Sequence, residues 1–162
     1  MKTTRGWTDI RQEQLDISQT GLPDLKEVLD VGYVNRTSNK RRKRHIKKHY
    51  LGDNKWPSAS GQDLENAIDK YAEENAELAQ DVLQLLSEGM VGTGDIFDEA
   101  FGPEALQVQR LTWYPASAGL TERREGEIGS GVHTDYGGVT LLHSDGPGLQ
   151  ILRANISSDQ VA

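Results

Sequence analysis

The chain has 162 residues, of which 35% are hydrophobic and 27% charged, and a net charge of −7. It has the size of one ordinary domain and the composition of a globular protein, which argues against disorder. The negative charge argues against general nucleic-acid binding, and no apolar run reaches the roughly 20 residues of a membrane span. No secretory signal begins the sequence, so we expect a cytoplasmic protein. Cysteine is absent, so any metal must be held by His, Asp or Glu, which favours iron, manganese or zinc.

The first fifty residues are polar and contain one unusual run of charge. Residues 1–35 are rich in turns, and the segment 26–31 fits either a strand or a single turn. Residues 40–48 hold seven of the 18 basic residues. This run favours a solvated loop, with a nucleic-acid-binding module as the alternative. His45 and His49 have the spacing of a helical metal site, but the surrounding positive charge would repel a cation.

Three- and four-residue spacing of apolar side chains predicts one long helix, begun by a capping box at Ser60–Asp63 and ended by Gly89. Its predicted apolar stripe consists of Leu64, Ile68, Tyr71, Leu78, Val82 and Leu85. Six further residues widen that stripe: Ala67, Ala72, Ala76, Ala79, Leu83 and Leu86. A second, short helix is predicted from Thr93 to Phe101.

After Pro103 the spacing changes to the two-residue alternation of a strand, which continues to Tyr114. Residues 116–131 read as a loop. Three further strands are predicted, at Val132–Asp135, Val139–His143 and Leu149–Arg153. The predicted order is therefore helical first and β afterwards.

His133 and Asp135 lie two residues apart in one of these predicted strands. Side chains at positions i and i+2 of a strand point to the same face. An imidazole and a carboxylate would then project side by side, as two of the three ligands in the 2-His-1-carboxylate site of iron(II) oxygenases do. Taken alone, such a pair is more often a surface hydrogen bond.

The surrounding sequence supports the metal reading. His133-Thr134-Asp135-Tyr136-Gly137-Gly138 follows Thr112-Trp113-Tyr114-Pro115 and precedes Gly148-Leu149-Gln150. Over residues 104–153 this order resembles the isopenicillin N synthase-like branch of the iron(II)/2-oxoglutarate-dependent oxygenases. Weaker similarities are Arg5-Gly6-Trp7, Asp24-Leu25-Lys26-Glu27 and Asn54-Lys55-Trp56-Pro57.

The resemblance implies an α+β fold, a partial double-stranded β-helix (jelly roll) with an N-terminal helical segment. Residues 1–103 would be a helical and loop segment packing on the core, and residues 104–162 the first part of the oxygenase domain. The third histidine ligand and an Arg-x-Ser motif follow later in that family, so we expect this chain to be truncated at both ends.

The resemblance also implies a function and a site. His133 and Asp135 would bind Fe²⁺, and Tyr114 would help to hold the co-substrate 2-oxoglutarate. Thr112 stands at a co-substrate position where many members of the family have asparagine. This sequence departs from the family's pattern there. The enzyme would use O₂ to hydroxylate or otherwise oxidise a small organic substrate, releasing succinate and CO₂. The alternative is a non-catalytic remnant of such an enzyme, and no feature of the sequence indicates an oligomeric state.

Overall fold

The computed structural model describes residues 5–15, 22–33, 53–59, 61–101, 105–116 and 124–151. In chain order these residues form β1 (Gly6–Thr8), β2 (Glu27–Tyr33), α1 (Gly61–Val91), α2 (Asp98–Phe101) and β3 (Gln107–Trp113). The basic run 40–48, His45, His49 and Ser60 lie outside the described residues. No helix in the described ranges is both long and apolar enough to cross a membrane.

One antiparallel sheet with the order β1-β2-β3 organises the described residues. The segment that fitted either a strand or a turn is β2, the central strand, and both Val28 and Val31 are buried there on opposite faces. The strand predicted after Pro103 is confirmed as β3, which pairs with β2 along its whole length. The sheet therefore joins strands from both of the segments, 1–103 and 104–162, into which the resemblance divides the chain.

The side chain of Asn54 takes the place of a strand partner beside β2. Its Oδ1 accepts the N–H of Gly32 at 2.9 Å, and its Nδ2 donates to the carbonyl of Gly32 at 3.0 Å. A side-chain amide carries one acceptor and two donors, so it reproduces the pairing of a neighbouring peptide. Asn54 thus completes the hydrogen bonds of β2 where β1, whose pairing reaches only Asp30, stops.

Helix α1 confirms the predicted long helix but ends later than predicted. It continues through Gly89 to Val91, and Gly92 terminates it with a φ of +78° and an N–H bond to the carbonyl of Glu88 at 3.0 Å. A left-handed residue just past the last turn is the common way for a helix to end, and glycine adopts it without a steric penalty. The prediction that Gly89 caps the helix was wrong.

The buried face of α1 differs from the predicted stripe. Ile68, Ala72, Leu83 and Ser87 are buried. Three members of the predicted stripe are largely exposed: Tyr71 (47%), Leu78 (51%) and Leu85 (66%). At about 100° per residue these three lie within an arc of about 40°, whereas the four buried residues lie on a different arc of about 100°. The buried face is therefore rotated around the helix from the predicted stripe, and Ile68 is the one member of that stripe that is buried.

The second predicted helix is shorter than expected, because only Asp98–Phe101 is helical. The residues before it form turns around Ser87, which is fully buried. The Ser87 hydroxyl donates to the carbonyl of Thr93 at 2.5 Å and accepts the N–H of Ile96 at 3.2 Å. Gln80 then donates to the carbonyl of Phe101 at 2.6 Å, which fixes α2 against α1.

Residues 124–151 contain no strand in the structure. The strands predicted at Val132–Asp135 and Val139–His143 were therefore wrong, as was the described part of Leu149–Arg153. A strand requires a hydrogen-bonded neighbour, and two-residue alternation does not supply one. From Val132 onward the side chains of this segment are mostly exposed, among them Tyr136 and Ile151.

Candidate metal centre

His133 and Asp135 lie side by side although they are not in a strand. The Nε2 atom of His133 is 3.6 Å from Oδ1 of Asp135, and the two side chains are 38% and 53% exposed. The other ring nitrogen, Nδ1, is 2.7 Å from the carbonyl oxygen of Gly131. A carbonyl only accepts, so this contact is a hydrogen bond when Nδ1 carries a proton, as it does in the Nδ1–H tautomer and in the imidazolium.

This donor set fits a divalent ion such as iron(II). A metal-binding histidine commonly donates its second N–H to a carbonyl, which fixes the tautomer and the ring orientation. Imidazole nitrogen and carboxylate oxygen are the ligand types of non-haem iron(II) sites. Among the described residues no group of three or more His, Asp or Glu side chains forms a metal cluster. His133 and Asp135 would therefore contribute two ligands of a larger set.

The backbone before His133 is held by a buried ion pair at the start of β2. Asp24 is 1% exposed and Lys26 3% exposed, and Lys26 Nζ lies 3.0 Å from Asp24 Oδ2. Asp24 Oδ1 accepts the N–H of Gly131 at 3.0 Å, and Lys26 donates to the hydroxyl of Ser130 at 3.1 Å. The two residues that precede Val132 and His133 are thus attached to the sheet by charged side chains.

Further charges extend this pair across the sheet. Glu13 accepts from Lys26 at 2.9 Å and from Arg110 at 3.0 Å. Arg110 also forms two 2.8 Å hydrogen bonds with Asp30, its partner across β2 and β3. Burial opposes the ionisation of Glu13, but the hydrogen bond from Lys26 and the charges of Arg110 and Lys26 outweigh it and lower its pKa. The hydrogen bonds to Asp30 raise the pKa of Arg110.

A second buried carboxylate, that of Glu127, forms hydrogen bonds a few residues before Gly131 in the chain. Glu127 accepts two hydrogen bonds from Arg11, at 2.5 and 3.2 Å, and one from the N–H of Arg124 at 2.8 Å. These bonds, that of Arg11 first, lower the pKa of Glu127 to about 2. The carbonyl of Ile128 accepts the N–H of Leu25 at 2.9 Å. Residues 127–131 therefore lie against the start of β2.

Two aromatic rings pack directly on glycines of this segment. The Tyr114 ring lies against Gly129, where an added Cβ would be 3.0 Å from its Cδ1. The Phe101 ring lies so close to Gly138 that a Cβ would overlap it. Tyr114, predicted to hold 2-oxoglutarate, thus follows β3 and contacts the backbone four residues before His133. Thr112 lies within β3 opposite Val28 and is exposed.

Sequence reasoning predicted roles for His133, Asp135 and Tyr114 and none for the buried charges. Asp24 and Lys26 were quoted only as part of a motif, and Glu127 was not singled out at all. The available signal was a pair of opposite charges flanking Leu25 directly before an apolar strand. Charged residues are rarely buried unless paired, so neither residue could be recognised as buried before its partners in residues 127–131 were known.

Comparison with curated proteins supports the motif reading. The chain is 29% identical over 125 residues to a homoarginine-6-hydroxylase of Arabidopsis thaliana, covering 77% of this chain and 36% of that protein. It is 29% identical over 139 residues to a validamycin A dioxygenase of Streptomyces hygroscopicus subsp. limoneus, covering 85% of this chain and 36% of the relative. It is 30% identical over 140 residues to a 2-oxoglutarate-dependent dioxygenase of Didymella fabae, covering 81% and 40% respectively.

These relatives confirm the class that the motifs indicate, because the chain is homologous to the 2-oxoglutarate-dependent dioxygenases over most of its length. The chain spans somewhat more than a third of the length of these three relatives. No family model matches the chain. No solved structure matches it either.

Proposed function

We propose that this chain carries two iron ligands of an iron(II)- and 2-oxoglutarate-dependent dioxygenase. In this proposal His133 and Asp135 hold the metal, within a jelly-roll domain that the described sheet begins. The enzyme oxidises a small organic substrate, most simply by hydroxylation, with succinate and CO₂ as co-products. The observation that carries the proposal is the pairing of His133 Nε2 with the Asp135 carboxylate while Nδ1 is bonded to Gly131.

The chain's own residues would bind and orient the reactants. When bound, iron(II) supplies the coordination positions at which 2-oxoglutarate and O₂ react. His133 contributes a neutral nitrogen whose direction is fixed by its bond to Gly131. Asp135 contributes a negative charge that attracts a cation, and its exposure leaves it accessible. Tyr114 lies after β3 against Gly129, and we propose that it contacts 2-oxoglutarate.

The substrate is proposed only as a small organic molecule. The relatives are named for homoarginine and for validamycin A, among others. Identities near 30% to proteins with different named substrates support the shared use of 2-oxoglutarate, and they do not select one of those substrates for this chain.

A metal titration tests the two proposed ligands. The titration uses Mn²⁺ as an air-stable substitute for Fe²⁺. Mn²⁺ is added to the full chain with and without 2-oxoglutarate, and its binding is measured by electron paramagnetic resonance. We expect binding that 2-oxoglutarate strengthens, and its loss in the variants His133→Ala and Asp135→Ala. The control variant is His143→Ala, which lacks an exposed histidine of the same segment. It should bind Mn²⁺ as the wild type does.

Two results would contradict the proposal. Binding that persists unchanged in both ligand variants would place the metal elsewhere. A folded wild-type chain that binds neither Mn²⁺ nor 2-oxoglutarate would favour the non-catalytic remnant. Circular dichroism of each variant separates lost binding from lost folding, because α1 gives a strong helical signal.

A further inference from the structure

We propose that Asp145-Gly146 is a site of spontaneous covalent modification, at which the aspartate converts to isoaspartate through a cyclic imide. The sequence contains an aspartate followed by a glycine at this position only, and no asparagine precedes a glycine. The pair lies between the motif that carries His133 and Asp135 and residues 148–150. The inference concerns the covalent chemistry of the chain itself, so it does not depend on whether the chain binds a metal.

The reaction requires only these two residues and water. The backbone nitrogen of Gly146 attacks the side-chain carboxyl carbon Cγ of Asp145, and an N–Cγ bond forms. One water molecule leaves, made from the amide hydrogen and the hydroxyl of the protonated carboxyl group. Water then opens the five-membered imide at one of its two carbonyls. Opening at Cγ restores aspartate, whereas opening at the main-chain carbonyl breaks the original peptide bond and leaves the chain running through the Asp145 side chain.

The Asp145 carboxylate is in a position to approach its own backbone. Asp145 and the residues on both sides of it are exposed. Within the described ranges, no hydrogen bond or ion pair holds this carboxylate. Asp24 shows the contrast, because its buried carboxylate is bonded to the N–H of Gly131 and to Lys26 and cannot turn toward the next peptide.

Gly146 presents its nitrogen without a steric obstacle. A Cβ on the attacking residue crowds the closing ring, and glycine has none. An added Cβ at Gly146 would meet no atom within 4 Å, so the peptide also has space to rotate. The hydroxyl of Ser144 accepts the N–H of Gly146 at 3.3 Å and donates to its carbonyl at 2.5 Å. These two bonds are local and exposed, so water replaces them at little cost.

Asp135 provides a comparison within the same segment. Its side chain is 53% exposed, so solvent access does not distinguish it from Asp145. The residue that follows is Tyr136, whose Cβ hinders attack by its nitrogen. Isoaspartate should therefore form at Asp145 and much more slowly at Asp135.

Replacing Gly146 by alanine tests the proposed attack with little effect on the fold. Gly146 does not have a positive φ and has open space around it, so alanine fits its backbone conformation without strain or overlap. Gly148→Ala is the matched control. It adds the same methyl group at another glycine with open space and without a positive φ, and it leaves Asp145-Gly146 intact.

The full chain is incubated in warm neutral buffer, and isoaspartate is measured over time in the wild type and both variants. Endoproteinase Asp-N cleaves before aspartate but not before isoaspartate, so lost cleavage before Asp145 reports the change, with cleavage before Asp135 as the reference. An isoaspartyl methyltransferase, which methylates the main-chain carboxylate of isoaspartate, identifies the product. We expect resistance to cleavage at Asp145 to accumulate equally in the wild type and Gly148→Ala, and several-fold more slowly in Gly146→Ala.

Three results would overturn the inference. The first is a folded wild-type chain that keeps complete cleavage before Asp145 while the urea-unfolded chain loses it, because the fold would then protect the site. The others are equal losses at Asp145 and Asp135, and equal rates in the wild type and Gly146→Ala. If Gly146→Ala does not fold, the difference between Asp145 and Asp135 in the wild type still decides.

Discussion

Gly138 lies directly under the ring of Phe101, with no room for even a methyl group between them. Phe101 is the last residue of α2, and its carbonyl is bonded to Gln80 of α1. The contact therefore connects the two helices with the segment that carries His133 and Asp135. It attaches this segment after Asp135, whereas the hydrogen bonds from Asp24 and Glu127 hold residues before His133.

Replacing Gly138 by alanine should separate the helices from this segment. The added methyl overlaps the Phe101 ring, so the ring or the segment must move; because Gly138 is exposed, the cost should lie at or below the lower end of the about 1–3 kcal/mol typical of a well-packed core. Gly148→Ala is the control, because a Cβ there meets nothing within 4 Å. Urea unfolding of both variants measures the difference. If the overlap with the Phe101 ring causes the loss of stability, the double variant Gly138→Ala/Phe101→Ala should lose less than the sum of the two single variants. Additive losses would exclude that cause.

Because of Glu127, the free energy of unfolding should decrease at low pH. Its pKa is lowered to about 2 by Arg11 and by the Arg124 N–H, whereas an unfolded glutamate titrates near 4.3. The stabilisation is therefore complete above about pH 4.3 and is lost as the pH falls toward 2. Urea unfolding from pH 7 downward should show a shallower acid loss in Glu127→Gln than in the wild type. Glu125→Gln changes an exposed neighbour and should keep the wild-type slope.

The pair Arg110 and Asp30 should stabilise the register between β2 and β3. A double-mutant cycle with Asp30→Ala and Arg110→Ala is expected to give a coupling energy of about 1 kcal/mol, because Arg110 is partly exposed and the geometry is bidentate. The coupling should decrease at 1 M salt. Arg110→Lys retains the positive charge but loses the two parallel hydrogen bonds of the guanidinium. This variant should therefore keep only part of the coupling energy with Asp30. Strictly additive unfolding energies would show that the pair contributes nothing.

Asn54→Ala should destabilise β2. The change leaves the N–H and the carbonyl of Gly32, which is buried, without their present partner, at a cost of about 1–3 kcal/mol. Hydrogen exchange of the Gly32 amide should accelerate together with the loss measured by urea. Asp53→Ala, at an exposed neighbouring position, is the comparison. An unchanged Gly32 exchange rate would mean that water takes over both bonds.

Local patterns predicted the elements that local interactions determine. The long helix and β3 follow from spacing alone, and both are present. The face that α1 buries did not follow, because the predicted stripe is the more apolar one. The buried face includes Ser87, whose burial depends on hydrogen bonds to Thr93 and Ile96 that no helical spacing predicts. The strand at 132–135 failed for a related reason, since alternation describes a strand's faces and not its neighbour.

The local part of the candidate site was likewise predictable, and its tertiary contacts were not. The two-residue spacing of His133 and Asp135 brought them together as expected, although a backbone without strand pairing does so. What holds them was hidden, since Asp24 and Gly131 are 107 residues apart in sequence. No local spacing connects a buried aspartate with a glycine so distant.

The pairing of β2 with β3 has a consequence for the order of folding. Residues 34–106 separate the two strands, and helix α1 lies wholly within that interval. Closing such a long loop costs entropy before any strand bond is gained, whereas a helix forms from neighbours in sequence. We therefore expect α1 to form early and to shorten the distance that the loop must close. The hydrogen bond from the Gly131 N–H to Asp24 joins residues 107 apart in sequence, so the residues around His133 should be ordered later than α1.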